Sequence, residues 1–222
     1  MPTPTEKQRQ LYANLMHEVK IRIDAINLAV QGRMGFSEFF VREFCWLQLR
    51  MLCELVALSC LVAHGDITFL QPHKVGKSYS ADDILERLTK LRPHFYPQPS
   101  RQKPMVHGGK PGFEMEAINP SPLAKEDLLK LYGRTHRHLH RGSLKKLLAM
   151  NVNAPLDLKI DAPEVIGWAQ RINDLLSIHL IAISADELII CILRNASANG
   201  EVQVVVAERP PESDTPGSTP GS

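Results

Sequence analysis

The sequence predicts a mainly α fold. A helical bundle over 1–185 is followed by a C-terminal β-hairpin over 186–208 and a disordered tail over 209–222. Three observations carry this reading: long runs with apolar residues at three- and four-residue steps, a single pair of β-branched runs near the end, and a last stretch of Pro, Gly, Ser and Thr. The chain has 222 residues, 44% of them hydrophobic, enough to bury a core without staples.

The first helix spans 5–31, where Leu11, Leu15, Val19, Ile23, Ile26 and Val30 recur on one face. Gly32 and Gly35 interrupt it, and Ser37 can cap a second helix running to about His64. That segment is apolar on most sides and predicts the central helix. It also holds Arg42, Glu43, Arg50 and Glu54, too many charges for a membrane span. Glu43, Arg50 and Glu54 share one stripe, and Arg50 and Glu54 can pair at i,i+4. Residues 65–80 read as a loop, and Ser80 opens a short helix to about Leu91. Pro93, Pro97, Pro99, Pro104 and Pro111 make 93–112 a long irregular connection. A helix follows from about Leu123 to Arg141, with Gly142 ending it and Ser143 capping a continuation through Met150. Asp161, Pro163 and Glu164 start the last helix, which reaches about Ile183. The hairpin joins 188–193 to 202–207; Val202, Val204 and Val206 against Gln203 and Val205 leave both its faces fairly apolar, so it is expected to pack on the last helix or to pair with another chain.

Cys45, Cys53, Cys60 and Cys191 form no C-x-x-C pair and read as reduced core thiols of a cytoplasmic protein. The N-terminus carries no apolar signal-peptide segment, and no membrane association is expected. Net charge is +2, but residues 71–150 carry a net +8 and residues 151–222 a net −6. A basic middle can attract polyanions.

The densest polar cluster is Tyr132-Gly-Arg-Thr-His-Arg-His-Leu-His-Arg-Gly142. On a helix, Leu128, Tyr132, Thr135 and Leu139 form the buried stripe, Arg134 and His138 flank one side, and His136 and His140 the other. His136 and His140 have metal-ligand spacing, but Arg137 and Arg141 beside them repel a cation and the H-E-x-x-H glutamate is absent, so neither metal nor cofactor is expected. A phosphate-binding face would use Arg137, Arg141 and Lys145. RNA cleavage would use a His to move a proton and an Arg to stabilise the phosphorane. A solvated basic helix accounts for the same residues without chemistry.

The spacing from Arg134 to His140, after a long helix holding Arg50 and Glu54, resembles the signature of the HEPN (higher eukaryote and prokaryote nucleotide-binding) superfamily. The resemblance implies a dimeric helical bundle that cuts RNA without a metal, in defence or toxin systems. Arg134 and His140 would then be catalytic, with His138 as substitute because it shares a face with Arg134. Tyr132, Arg50 and Glu54 would support them. The family often has Asn, Asp or His directly after the Arg, where this chain has Thr135. The expected function is binding of RNA or nucleotide phosphate, with endoribonuclease activity; the alternative is a non-enzymatic oligomerisation module.

Overall fold

A computed structural model describes residues 6–64, 80–92, 94–139 and 159–208. The helices are α1 (Glu6–Val30), α2 (Glu38–Ala63), α3 (Ala81–Leu91), α4 (Lys125–Leu139) and α5 (Ala162–Leu176). The strands are β1 (Gln98–His107), β2 (Lys110–Ala117), β3 (Ile178–Ala182), β4 (Glu187–Asn195) and β5 (Glu201–Glu208). They form one antiparallel sheet in the order β2-β1-β3-β4-β5. The mainly α expectation is therefore corrected to a mixed fold, with five α-helices and a five-stranded antiparallel sheet among the described residues.

Two local readings produced the error. The stretch 93–112 is no irregular connection: β1 and β2 pair from Ser100↔Ala117 to His107↔Lys110 around Gly108-Gly109. Both glycines have positive φ (56° and 77°), the geometry a two-residue hairpin turn requires. The last helix stops at Leu176 rather than near Ile183, and the apolar run after it becomes β3. The two C-terminal strands are thus two members of a five-stranded sheet. The expected disordered tail and the continuation from Gly142 to Met150 lie outside the described residues.

The molecule is layered. Helices α1 and α5 lie on one face of the sheet, α2 packs against both of them, and α3 and α4 pack on α2. Helix α2 is the core element: Trp46, Leu49, Leu52, Val56 and all three of its cysteines are buried. It is long and apolar enough to cross a membrane, but most of that apolar window is buried inside the fold. Helix α1 buries Tyr12, Met16, Val19, Ile23 and Ile26, so the inner stripe runs through Tyr12 and Met16 while Leu11 is exposed. Tyr12 is drawn in by a polar partner, since its hydroxyl lies 2.5 Å from Nε2 of the fully buried His179. His179 Nδ1 is 2.9 Å from the Leu176 carbonyl, and burial holds its pKa down at about 4. At the start of α5, Asp161 accepts a hydrogen bond from the Glu164 amide (3.0 Å), the capping contact the D-x-x-E pattern predicts.

Candidate functional site

Arg42, Trp46, Arg50 and Glu54 recur every four residues, which places them along one face of α2. Helix α4 crosses this face in the opposite direction. Cys53 meets the Leu128 carbonyl, Arg50 meets Tyr132, and Trp46 meets His138.

The middle of the crossing is a closed polar lock. Arg50 Nε is 3.2 Å from Glu54 Oε1, its Nη2 donates to the Tyr132 hydroxyl (2.7 Å), and that hydroxyl donates to Glu54 Oε1 (3.3 Å). The guanidinium also stands 4.4 Å from the centre of the Tyr132 ring, a cation–π contact. Desolvation raises the Tyr132 pKa, against the opposing charge of Arg50. Each member satisfies the others, so these three residues position α4 on α2 and offer no open valence for chemistry. Thr135, directly after Arg134, is fully buried and donates back to the Tyr132 carbonyl (2.7 Å).

One turn further, α4 presents an open face. Arg134 Nε lies 2.6 Å from Glu164 Oε1, and Trp168 Nε1 donates to the same oxygen (3.3 Å). The Arg134 N–H is not aligned for a hydrogen bond there, so the contact is an ion pair held by proximity. The arginine stays 42% exposed, whereas Glu164 is only 17% exposed. His138 stacks flat on Trp46, ring centres 3.8 Å apart and planes within 3°. Trp46 is buried beneath, while the histidine remains exposed. Its pKa is lowered, first by desolvation and then by the charges of Arg134, Arg42 and Arg137, with Glu164 opposing. Three guanidinium groups and one carboxylate therefore lie close enough to act on the charge of His138.

Arg134 and His138 share this face as their spacing predicts, and Arg137 is exposed beside them. His136 is exposed on α4. His140, Arg141 and Lys145 lie outside the described residues. Among the described residues no three His, Cys, Asp or Glu side chains converge to hold a metal. Sequence reasoning missed Trp46, Glu164 and Arg42. The four-residue step from Arg42 through Trp46 to Arg50 was a usable signal; nothing local pointed from Glu164 to Arg134, which lies 30 residues earlier.

An apolar groove of about 610 Å³ opens near the end of α4, lined by Phe36, Phe40, Glu43, Phe44, Leu47 and Leu139. Glu43 thus belongs to the groove and not to the Arg50–Glu54 lock. Compared with known proteins, the chain matches no protein-family model, no curated protein and no solved structure.

Proposed function

We propose that this chain binds RNA or nucleotide phosphate on the face of α4 carrying Arg134, Arg137 and His138, together with Arg42 of α2, and cleaves RNA there without a metal. The observation that carries this is a histidine stacked over a buried tryptophan within the electrostatic reach of three arginines. Glu164 offsets part of one positive charge, which leaves a net positive face for an anion. A histidine with a lowered pKa is mostly neutral at pH 7 and can accept a proton. In the proposed step His138 takes the ribose 2′-hydroxyl proton, the 2′-oxygen bonds to phosphorus, and the bond to the 5′-oxygen breaks. Water supplies the leaving group's proton. Arginines near the phosphate stabilise the charge that builds on its oxygens. The products are a 2′,3′-cyclic phosphate and a 5′-hydroxyl. The HEPN-like spacing of Arg134 and His140 adds support, although the five-stranded sheet departs from the bundle that resemblance implies. A cytoplasmic site of action fits a substrate of this kind.

The test uses a labelled single-stranded RNA with wild type, His138→Ala, His140→Ala and Arg134→Ala. Binding is followed by anisotropy and cutting on gels. His138→Ala should lose cutting while binding changes only a few-fold, and Arg134→Ala should weaken both. If His140→Ala alone abolishes cutting, the proton transfer belongs to His140 and the assignment to His138 is wrong. A second reading, an interaction module without catalysis, is favoured by an apolar sheet face described below. Under it no RNA is bound or cut.

A further inference from the structure

The sheet has two unlike faces. Directly paired residues share a face, so the registers sort the side chains. The inner face carries His179, Ile181, Ile189, Cys191 and Leu193, all buried under α1 and α5. The outer face carries Leu180 on β3, Ile190 and Ile192 on β4, and Val205 on β5. It continues onto the β1–β2 ribbon through Met115, Phe113 and Val106. Its central strands present only apolar side chains outward, Ile178, Leu180 and Ala182 from β3 and Leu188, Ile190 and Ile192 from β4, while polar residues stand at its margins: Gln98, Ser100 and Gln102 on β1, and Gln203 and Glu201 on β5. The charges of the ribbon, Arg101, Lys103, Glu114 and Glu116, all fall on its opposite side, where Arg101 and Glu116 form two 2.9 Å hydrogen bonds. Along a strand of an antiparallel sheet with one face in water, apolar and polar residues alternate, and β3 from Ile178 to Ala182 and β4 from Leu188 to Ile192 do not follow that alternation.

Nothing within the described residues covers that face. The helices contacting the sheet, α1 and α5, lie on its inner side. Val106 is 72% exposed, Phe113 63% and Val205 42%. The chain beyond β5, from Arg209 to Ser222, contains no large apolar side chain.

We propose that the outer face of the sheet is a homodimer interface, in which two copies pack their five-stranded sheets face to face about a twofold axis. An apolar centre formed by β3, β4, Val205 and the ribbon, with polar residues at the margins, can pack on its own copy, as a twofold contact requires. The size also fits. Strands about 4.8 Å apart rising about 3.4 Å per residue give β3–β5 and the ribbon together on the order of 500 Å² per copy. Two copies then bury about 1,000 Å², the lower bound for a specific interface. Covering the ribbon in this way also supports a two-stranded arm that is marginal alone.

The experiment measures mass in solution by light scattering for wild type, Ile190→Glu, Val205→Glu and Phe40→Glu, with circular dichroism to verify folding. Wild type and Phe40→Glu should run as dimers, because Phe40 belongs to the α2 groove. Ile190→Glu and Val205→Glu should run as folded monomers. Val205 is already 42% exposed, so its variant keeps the test valid if Ile190→Glu does not fold. As an independent readout, Val205→Cys adds an accessible thiol to a chain whose four cysteines are buried, and an oxidant should link it across the dimer. A monomeric wild type, or a dimer that survives Val205→Glu in folded form, overturns the proposal. Dissociation by Phe40→Glu with Val205→Glu still dimeric also overturns it, and assigns the contact to the groove.

Discussion

Removing one oxygen from the α2–α4 crossing tests whether the Arg50–Tyr132–Glu54 lock holds the candidate site in place. Tyr132→Phe keeps the ring, its packing and its contact with the Arg50 guanidinium, and deletes only the hydroxyl that Arg50 reaches at 2.7 Å and Glu54 at 3.3 Å. A hydrogen bond to a charged group contributes roughly 1.5–3 kcal/mol. Arg50 and Glu54 are 26% and 29% exposed and keep their direct 3.2 Å ion pair, so water and that pair offset part of the loss. The expected cost is about 1 kcal/mol. Tyr132→Ala also removes a buried aromatic ring and should cost about 4 kcal/mol. Urea unfolding at pH 7 measures both, and the double variant Arg50→Met/Tyr132→Phe should show non-additivity of about 1 kcal/mol. A Tyr132→Phe protein as stable as wild type within about 0.3 kcal/mol would refute the lock, since additive surface changes stay inside that range. So would one as unstable as Tyr132→Ala, because the hydroxyl would then carry the whole crossing.

Other expectations follow from burial. The folded-state pKa of His179, about 4, is lower than the ordinary histidine value of about 6.5, so the unfolded chain binds a proton that the native state refuses. Stability from this group is therefore complete above about pH 6.5 and falls by up to about 3 kcal/mol as pH drops to 4. In urea titrations across that window, His179→Gln should flatten the slope; an unchanged slope would mean His179 titrates normally. Cys45, Cys53, Cys60 and Cys191 are buried, and desolvation raises the pKa of Cys45 to about 11 and of Cys60 to about 12. All four should react with a thiol reagent only at the rate of unfolding, and rapid labelling of even one would contradict the packing of α2 or of β4.

Legibility in the sequence followed the strength of the period. Helix α2 stood out because its apolar residues are dense and its charges few, and the cap at Asp161 because a side chain three residues from its partner is a local signal. Strands β1 and β2 were hidden by Pro99, Pro104 and Pro111, which argue against a strand inside a sheet. Beyond Pro99 the ribbon pairs with no third strand among the described residues, so half of its backbone N–H groups point away from its ladder, where a proline costs no ladder bond. Strand β3 was hidden because Ile178 to Ile183 continues an apolar pattern with no Gly or Pro after α5, and a short apolar run does not separate helix from strand. Of the candidate site, the shared face of Arg134 and His138 was legible because it depends on one helix. The Trp46 stack and the Glu164 ion pair depend on how three helices meet, which no local pattern encodes.

The α4 face is tested most directly by the salt dependence of its binding to a single-stranded RNA. Each phosphate contact lowers the slope of log affinity against log salt by about 0.7 for single strands. Contacts from Arg42, Arg134 and Arg137 predict a slope of about −2, reduced in size by about 0.7 in Arg137→Ala and again by about 0.7 in the double variant with Arg134→Ala. No binding at low salt, or a slope that these substitutions leave unchanged, would contradict a phosphate-binding face on α4.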